Sequence, residues 1–447
     1  MEINKSIFKS YDIRGIYPSE LNEDAAFEVG RAFTRQTGAR KVVIGHDGRI
    51  SSPALSVAFA RGVLAEGGIV EDIGQVPTEC LYYAVGAYDF EAGAMVTASH
   101  NPKEYGGIKM VQKNGKAVSI LRGVDLLESV EKNVVLVGSV AKEVQQKDVW
   151  DDYIKHILSF VDANKIKPFK IAIDASNGVG GKTIELLKGK LPVEITGINF
   201  DVDGSFPNHS PNPIAEGSSD QIAKAIQEKN LDFGFIFDAD ADRVFLVDEN
   251  GRLITADMVL LLLAKYFLSK NPGFAVSYNA VCSRAVPKFI KEWGGKAVRT
   301  KVGFVFVQKG MMENNGIMGG ELSGHYCFRD NYYLDSGGIA FLSLLELFSE
   351  SGKKVSELVK EVDIYYHEPA IEFKTGNSDK IVEALKKKYF DGKQDELDGI
   401  TVEYDNWWFN VRGSQTEPIM RLTLEADNKE IFEQKKKEAM EIIDKNK

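Results

Sequence analysis

Cysteine is scarce in this sequence, and the three that occur, Cys80, Cys282 and Cys327, are widely spaced. Such an odd, scattered set favours neither a disulfide framework nor a zinc cluster. Long apolar runs are also missing, because the longest, residues 258–264, ends at a lysine well short of a membrane span. The N-terminal stretch MEINKSIFKS lacks the apolar core of a signal peptide. We therefore expect a cytoplasmic protein with no membrane partner.

Positive charge is in deficit as well. The chain has 55 lysine and arginine residues against 65 aspartate and glutamate residues, a net charge of −10, and no long basic run. This composition argues against nucleic acid as the main partner. The length of 447 residues is too great for one core, and about 150 residues per domain predicts three or four domains.

Short apolar strands alternate with loops that contain Gly or Asp and with helical stretches along most of the chain. A strand at residues 41–45 and a helix at 54–65 begin the pattern, and a buried helix is expected at 257–268. Further strands are predicted at 93–96, 170–173, 233–237, 274–277, 296–299 and 316–318. This rhythm argues for parallel, doubly wound α/β sheets.

The last part of the chain differs in character. After Pro369, strands alternate with charged helices, predicted at 381–389 and 429–444, as in a small α+β domain. The polar runs 143–147 and 365–369 are interpreted as connectors, and 248–252 as a break between two α/β units. These breaks predict α/β domains at residues 1–147, 148–252 and 253–366, and a C-terminal α+β domain at residues 367–447.

The stretch AMVTASHNPKEYGGIK, residues 94–109, joins the end of an apolar strand to a loop rich in hydroxyl groups. Ligands collect at such carboxyl ends of strands in open α/β sheets. Pro102 biases Asn101 away from helical geometry, so Ser99 and His100 are expected on an exposed, stiff loop. The residues alone leave Ser99 open as an attacking group, a metal ligand or a turn former. A hydrolase dyad with His100 is not expected, because adjacent side chains rarely face each other and no G-x-S-x-G motif is present.

The segment DADADR, residues 238–243, gives the strongest chemical signal. Its three aspartates follow an apolar strand, and their concentrated negative charge favours a hard divalent cation. Arg243 beside them suits an anionic oxygen. An EF-hand calcium loop would have Glu249 at its twelfth position, but Arg243 stands where that loop needs glycine, and a strand precedes it. A solvated acidic turn is the other alternative.

Two further loops combine polar side chains with glycine. GELSGH, residues 320–325, offers Glu321 and Ser323 to bracket vicinal hydroxyl groups, and His325 titrates near neutral pH. RGSQTEP, residues 412–418, has a guanidinium, hydroxyl groups and backbone amides suited to a phosphate group, and it is not a P-loop. Both patterns also fit ordinary polar turns. YDIRG and GHDGRISS, nearer the N-terminus, are ambiguous and fit capping chemistry.

Taken in order, these segments resemble the motifs of the α-D-phosphohexomutase family, specifically its phosphomannomutase/phosphoglucomutase branch. The motifs are YDIRG, GHDGRISS, TASHNP, DADADR, TKVG, GELSGH and RGSQTEP, and they cover nearly the whole chain. The resemblance implies three related α/β domains with doubly wound mixed sheets, and a C-terminal α+β domain, around a central cleft.

The resemblance also implies roles for individual residues. Ser99 resembles the family's phosphoserine, and the ligands of a Mg²⁺ ion would be Ser99, Asp238, Asp240 and Asp242. Charge stabilisation and proton transfer are implied for His100, Lys109, Arg14 and His325. Glu321 and Ser323 resemble the pair that reads O3 and O4 of the sugar. The full set of implied substrate contacts is Tyr11, Arg243, Thr300, Lys301, Gly303, Glu321, Ser323, Arg412, Ser414, Gln415, Thr416 and Arg421.

Some positions depart from the family pattern. His46 stands where many relatives have arginine, and Val281 where some bacterial members have a lysine that contacts substrate. TKVG replaces a TGH variant, and Lys301 is a candidate to compensate for it. RGSQTEP differs from the RPSGTEP form usual in phosphoglucosamine mutases.

The favoured hypothesis is a Mg²⁺-dependent isomerase that moves a phosphoryl group between O1 and O6 of mannose and/or glucose phosphates. The reaction would pass through a phosphoserine and hexose 1,6-bisphosphate, with sugar phosphates as partners and a monomer or homodimer as the active form. Phosphoglucosamine mutase activity is the alternative within this class. A non-catalytic sugar-phosphate-binding protein and a metal-dependent phosphatase are alternatives from other classes.

Overall fold

The strands of this protein are sorted into sheets by their order along the chain. The computed structural model describes residues 3–131, 143–413 and 419–447, and within these ranges the strands form four sheets, each from a continuous stretch of sequence. We describe the four stretches as domains I to IV, and their boundaries after residues 147, 252 and 366 remain our proposal. The last boundary falls within the short strand Tyr366–His367, which we count with domain IV because it pairs with that sheet.

Domain I contains a mixed sheet. Its elements are β1 (Ile13–Ile16), α1 (Glu23–Thr37), β2 (Lys41–His46), α2 (Ser52–Ala65), β3 (Ile69–Gln75), α3 (Thr78–Ala87), β4 (Ala92–Val96), β5 (Tyr105–Asn114), β6 (Ala117–Leu121), α4 (Leu127–Glu131) and β7 (Gln145–Gln146). The strand order is β1-β5-β4-β2-β3-β7, with β6 paired to β5. β4, β2, β3 and β7 are parallel, whereas β5 is antiparallel to its neighbours.

Domains II and III repeat this plan with smaller sheets. Domain II consists of α5 (Trp150–Leu158), β8 (Lys170–Asp174), α6 (Gly180–Leu187), β9 (Glu194–Ile198), α7 (Asp220–Lys229), β10 (Phe233–Phe237) and β11 (Val244–Val247). Domain III consists of α8 (Ala256–Lys270), β12 (Ala275–Asn279), α9 (Ala285–Glu292), β13 (Lys296–Thr300), α10 (Phe304–Glu313), β14 (Gly316–Gly320), β15 (Tyr326–Phe328), β16 (Leu334–Asp335), α11 (Gly337–Ser351) and α12 (Val355–Val362). The orders are β11-β10-β8-β9 and β13-β12-β14-β15-β16, again with antiparallel strands at one side.

Domain IV has an antiparallel sheet with helices. Its elements are β17 (Tyr366–His367), β18 (Ile371–Lys374), α13 (Ser378–Lys388), β19 (Lys393–Asp395), β20 (Ile400–Glu403), β21 (Trp407–Gly413), β22 (Ile419–Ala426) and α14 (Lys429–Asn446). The order is β17-β22-β21-β20-β19, with β18 also paired to β22. This is the predicted α+β character of the C-terminal part.

Local sequence explains the elements that carry the site. β4 and β10 are buried along their whole length, so they are apolar on both faces, as expected for central strands. α11 begins where the Ser336 side chain accepts a hydrogen bond from the Ile339 amide, and it ends at Gly352 in the left-handed conformation. The structure confirms the predicted strand at 233–237 as β10. It also confirms the predicted helix at 257–268 as α8, which is slightly longer at both ends.

The structure corrects the predictions in two respects. The rhythm of the sequence predicted parallel sheets, but the antiparallel strands make them mixed, as the family resemblance implied. The two predicted connectors each contain a short strand, β7 paired with β3 and β17 paired with β22. Gln145 and Gln146 are exposed at a sheet edge, so no hydrophobic pattern marks them. None of the helices in the described ranges has the length and apolar character needed to cross a bilayer.

The apolar cores show which domains are joined rigidly. One continuous core includes residues of α3 in domain I, β10 in domain II and α11 in domain III. On α11, the Phe341 ring lies 5.0 Å from that of Phe235 and 6.3 Å from that of Phe237. Domain IV has a core of its own, between its sheet and its helices. Domain IV is therefore packed separately from the core that joins the other three domains.

Replacing Phe341 with alanine should lower the free energy of unfolding by about 3–5 kcal/mol, because a buried aromatic side chain is removed and leaves a cavity. Urea unfolding followed by circular dichroism measures this change. Phe390 is 80% exposed, so Phe390→Ala is the matched control and should change stability by less than about 0.5 kcal/mol. Equal stability of the two variants would contradict a core shared by domains II and III.

Candidate active site

Ser99 and the DADADR segment meet although they follow strands of different sheets. Ser99 comes shortly after β4, and Asp238 comes directly after β10. The Ser99 hydroxyl donates to Asp238 Oδ2 at 3.0 Å and accepts a hydrogen bond from Arg243 Nη2 at 2.7 Å. All three side chains are buried. A hydroxyl, a carboxylate and a guanidinium thus converge between domains I and II.

The backbone of Ser99 has a φ of +50°, in the left-handed region that non-glycine residues rarely adopt. Such a conformation persists where the surrounding structure holds it in place. In this conformation the Ser99 hydroxyl lies 3.3 Å from His100 Nδ1. The expectation that these adjacent side chains point apart is therefore wrong. Ser99 is only 2% exposed, so the prediction of an exposed serine is wrong as well, because domain II covers the loop.

His100 sits among positive charges. Burial, together with the charges of Arg243 and Arg14, lowers the pKa of His100 well below its usual range. The imidazole is therefore neutral at neutral pH. A neutral ring can accept the single proton of the serine hydroxyl when that proton is not donated to Asp238, whereas a charged ring cannot.

The three aspartates occupy the turn between the antiparallel strands β10 and β11. Ala241 between them has a φ of +59°. One carboxylate oxygen from each aspartate lies within 4.8 Å of the others, and all three residues are buried. Strands flank this turn, and Glu249 accepts a hydrogen bond from the Ser356 amide instead of facing the aspartates. The structure therefore excludes both the EF-hand alternative and the solvated turn.

Lys109 on β5 balances part of this negative charge. Its ammonium donates to Asp240 Oδ2 at 2.6 Å and also to Asp242. Thr78 Oγ1 donates to the same oxygen of Asp240 at 2.6 Å. Among the described residues, the Oδ1 atoms of Asp240 and Asp242 are buried without a hydrogen-bond partner. Buried carboxylate oxygens without a donor are the ligands that a hard divalent cation takes, so the residues fit a metal ion.

The ionisation of these groups follows from burial and pairing. Burial raises the pKa of Asp238 to about 7, although Arg243 opposes the shift. Burial acts on Asp240 too, but Lys109 and Thr78 outweigh it and hold the pKa of that carboxyl well below its usual range. Burial would lower the pKa of Lys109, but the neighbouring aspartates raise it above its usual value. The lysine is therefore charged at neutral pH.

The GELSGH segment brings a second polar group to the same place. Glu321 Oε1 accepts a hydrogen bond from Ser323 Oγ at 2.5 Å and lies 3.2 Å from His325 Nδ1. The other ring nitrogen, His325 Nε2, lies 3.6 Å from Asp242 Oδ1 and 3.7 Å from Asp335 Oδ2. His325 thus connects the predicted sugar-reading pair with the aspartate turn.

Backbone contacts join domains II and III at this point. Arg243 and His325 form an isolated antiparallel bridge, and the Val244 amide donates to the Gly324 carbonyl at 3.4 Å. Gly324 has a φ of +86°, and a Cβ atom there would lie 2.5 Å from the Phe245 ring, so glycine is required. The aspartate turn and the GELSGH loop are therefore held in a fixed relation.

The TKVG loop lies against Tyr11 of domain I. Gly303 has a φ of +128°, and a Cβ atom there would lie 2.3 Å from the Tyr11 hydroxyl. That hydroxyl donates to the Val302 carbonyl at 3.1 Å, and the Gly303 amide donates to Glu321 Oε2 at 3.3 Å. The Thr300 hydroxyl is bonded to backbone carbonyls, whereas Lys301 is exposed. Of the predicted substrate contacts at this loop, Tyr11 and Gly303 therefore have polar atoms near Glu321, whereas the side chains of Thr300 and Lys301 are engaged elsewhere or exposed.

Arg14 on β1 supports the serine loop. Its Nη1 atom donates to the Ala98 carbonyl at 2.7 Å and to the Asn101 side chain, and its Nε atom donates to Asp12 at 2.9 Å. The position of Arg14 beside the peptide that precedes Ser99 agrees with the expected proximity to the reacting group.

The predicted phosphate loop is described only in part. Ser414, Gln415 and Thr416 lie outside the described residues. Arg412 lies at the end of β21, and its burial lowers its pKa. Tyr11 and Glu321 are among the groups that interact electrostatically with its guanidinium. Arg421 stands opposite it on β22 and donates to Glu372 Oε1 at 2.8 Å.

Two residues of the site were not indicated by sequence patterns. Thr78 begins α3, and Asp335 ends β16 just before α11. A polar residue at the start of a helix usually binds the backbone amides of that helix. The sequence around Thr78 therefore gives no sign that its hydroxyl contacts Asp240 in another domain. Of the departures from the family pattern, the His46 side chain is bonded to the neighbouring Asp47 carbonyl, and Val281 is buried.

Comparison with known proteins places this arrangement in a family. Sequence models described as phosphoglucomutase/phosphomannomutase, alpha/beta/alpha domains I, II and III, match residues 5–132, 151–251 and 255–365. A protein named "Phosphohexose mutases" from Xanthomonas campestris is 37% identical over 423 residues, 94% of each chain. A phosphomannomutase from Methanocaldococcus jannaschii is 35% identical over 445 residues, 98% of each chain.

A solved structure has the same architecture. The phosphoglucomutase/phosphomannomutase family protein from Burkholderia thailandensis superposes with a TM-score of 0.88 at 31% identity, covering 99% of this chain and 98% of that one. The motifs, the three α/β domains with mixed sheets and the near full-length relatives agree. This chain therefore belongs to the phosphoglucomutase/phosphomannomutase family, and it is a phosphoryl-transferring isomerase of the phosphohexomutase class.

Proposed function

We propose that this protein moves a phosphoryl group reversibly between O1 and O6 of hexose phosphates, mannose and/or glucose, through phosphorylated Ser99 and hexose 1,6-bisphosphate. The observation that carries the proposal is the Ser99 hydroxyl, held at 3.0 Å from Asp238 and 2.7 Å from Arg243 between two domains. Relatives named phosphomannomutase support mannose phosphates as substrates.

In the first half-reaction, a hydroxyl of the sugar attacks the phosphorus on phosphorylated Ser99. The bond from phosphorus to Ser99 Oγ breaks as the bond to the sugar oxygen forms, and the serine oxygen leaves with the electron pair. The charged Lys109 and Arg243 can stabilise the developing negative charge, which is the main requirement of phosphoryl transfer. His325 is the proposed base for the proton of the attacking hydroxyl, since its imidazole lies beside both Glu321 and the aspartate turn.

The bisphosphate formed in this way must turn around before the second half-reaction. Ser99 then takes back the other phosphoryl group, and the sugar product leaves. Glu321 and Ser323 are the proposed readers of O3 and O4, which keep similar positions in both orientations. Arg412, with the proposed Ser414 and Thr416, would hold the phosphate that is not being transferred.

Water must be excluded, because hydrolysis would remove the phosphoryl group from Ser99. Domain IV can close the cleft because it has a separate core. Its Asp398 Oδ2 accepts a hydrogen bond from the Val302 amide at 2.7 Å, and Tyr11 of domain I contacts the carbonyl of the same residue. Three domains therefore meet at this loop, which supports closure by domain IV.

The residues that would hold a Mg²⁺ ion are Asp238, Asp240, Asp242 and Ser99. When bound, the ion would neutralise negative charge on the transferred phosphoryl group. Lys109 pairs with two of these aspartates and so balances part of their negative charge.

The alternatives from other classes have less support. A non-catalytic binding protein would not need Ser99, Lys109 and three aspartates together. A phosphatase of the aspartate type would use the first aspartate as its nucleophile, but Asp238 is bonded to Arg243 and Ser99. A cytoplasmic location and a monomeric or homodimeric state remain part of our proposal.

Ser99→Ala should lower mutase activity by orders of magnitude without changing the fold, because the acceptor of the phosphoryl group is lost. The intact mass of the purified protein should include a species about 80 Da heavier, the size of one phosphoryl group, that maps to Ser99. Ser269→Ala, which alters an exposed serine on α8, serves as the control and should keep full activity. Near-normal turnover by Ser99→Ala would rule out the mechanism.

A coupled assay of the three candidate sugars tests the substrate. With a bisphosphate primer, kcat/KM should be higher for mannose 1-phosphate and glucose 1-phosphate than for glucosamine 1-phosphate, because the phosphate loop differs from the phosphoglucosamine mutase form. A preference for glucosamine 1-phosphate would contradict the proposed substrates and favour phosphoglucosamine mutase activity.

Saturating Mg²⁺ should raise the unfolding midpoint of the wild-type protein, since a ligand that binds only the folded form at 100 times its Kd stabilises it by about 2.7 kcal/mol. Asp242→Asn should lose most of this effect, because it removes a carboxylate from the turn. Asp232→Asn changes an exposed carboxylate at the opposite end of β10 and should retain the effect. Equal stabilisation of both variants would contradict the proposed metal site.

A further inference from the structure

A buried arginine from the loop after β2 binds the backbone of the serine loop. Arg49 is 1% exposed. Its Nη2 atom donates to the carbonyl of Ser99 at 2.5 Å and to that of Asn101 at 2.6 Å. Its Nη1 atom donates to the carbonyls of Pro102 at 2.8 Å and Tyr105 at 3.2 Å. One guanidinium thus holds four carbonyl groups of the loop that carries Ser99.

Asp47, a buried carboxylate in the loop after β2 that also contains Arg49, holds the amide of Ser99 through Thr97. The Ser99 amide donates to Thr97 Oγ1 at 2.8 Å, and Thr97 Oγ1 donates to Asp47 Oδ2 at 2.7 Å. The other oxygen of Asp47 accepts hydrogen bonds from Ser52 Oγ at 2.5 Å and from the Arg49 amide at 3.0 Å. Both peptide groups of Ser99 are therefore fixed by the GHDGRISS segment.

This arrangement explains how a serine keeps a left-handed backbone. A non-glycine residue at a φ of +50° is strained, and the strain persists only if neighbouring groups over-determine the conformation. Hydrogen bonds with an ionised partner are about twice as strong as neutral ones. Here the ionised partners are Arg49 and Asp47, and their side chains are completely buried.

Domain II seals this group of residues from water. The Phe206 ring lies 5.0 Å from the guanidinium carbon of Arg49. Gly204 approaches so closely that a Cβ atom would lie 2.6 Å from the Ile50 nitrogen. Hydrogen bonds in such a low-dielectric environment are stronger than in water. The domain that supplies Asp238 and Arg243 therefore also covers the residues that aim Ser99 at them.

We propose that Asp47, Arg49 and Thr97, here called the serine clamp, are positioning residues for phosphoryl transfer. They hold Ser99 in the conformation that directs its oxygen toward Asp238 and Arg243. The inference rests on the proposed role of Ser99 as the phosphorylated residue. No clamp residue is among the proposed sugar contacts, so its loss acts on kcat and leaves KM nearly unchanged.

The sharpest test uses two substitutions at Thr97. Thr97→Val keeps the shape of the side chain but removes the hydroxyl between Asp47 and the Ser99 amide, whereas Thr97→Ser keeps the hydroxyl. Thr97→Val lowers kcat by about 10²-fold, the effect of a reacting group displaced by about 1 Å, with KM changed less than about twofold. Thr97→Ser keeps kcat close to that of wild type, because it retains the hydroxyl that links Asp47 to the Ser99 amide.

A second pair of variants separates positioning from stability. Arg49→Lys and Arg31→Lys each replace a buried arginine of domain I that forms an ion pair. Both lower the melting temperature. Only Arg49→Lys slows the transfer of a phosphoryl group from glucose 1,6-bisphosphate to dephosphorylated Ser99, measured in a single turnover by intact mass.

The outcomes distinguish the clamp from the function on which it rests. Wild-type kcat in Thr97→Val, a change confined to KM, or equal transfer rates in Arg49→Lys and Arg31→Lys would overturn the clamp and leave the phosphoserine mechanism standing. A wild-type protein that accepts no phosphoryl group on Ser99 would reject both. If Arg49→Lys does not fold, the two Thr97 variants decide the matter.

Discussion

Charge compensation in a buried place is the constraint on which this structure depends. Asp238, Asp240 and Asp242 are withdrawn from water and are balanced by Lys109 from one domain and Arg243 from their own. Removing one partner of a buried ion pair leaves an uncompensated charge, which is strongly destabilising. The same balance leaves carboxylate oxygens available for a cation. The groups that stabilise the domain junction are therefore the same groups that we propose for phosphoryl transfer.

The junction also joins three of the domains more closely to one another than to the fourth. The aspartate turn is joined to the GELSGH loop through the backbone of Arg243 and His325, and domains I to III share a core. Domain IV has a separate core and meets the others through polar contacts such as Asp398 with the Val302 amide. Three domains that share a core and a fourth with its own core suit the proposed reaction, in which the bisphosphate turns around within the cleft.

The sequence was sufficient for the elements and loops whose pattern is local. The apolar run at Phe233–Phe237 predicted a buried strand, because a central strand needs apolar residues on both faces. DADADR after it predicted a metal site from charge density alone, and the order of the motifs predicted the family. Short edge strands such as Gln145–Gln146 could not be predicted, since they are exposed and have no hydrophobic pattern.

The sequence by itself thus determined the fold class and the family, and it supplied the residues that we propose as the reactive side chains. Only the tertiary structure decided their partners. Ser99 and Asp238 are 139 residues apart, and nothing in either segment specifies the other. The left-handed backbone of Ser99 and its support by Arg49 are likewise invisible in GHDGRISS, which reads as an ordinary helix start. Local patterns encode burial and backbone preference, whereas hydrogen bonds between distant loops exist only once the sheets have packed.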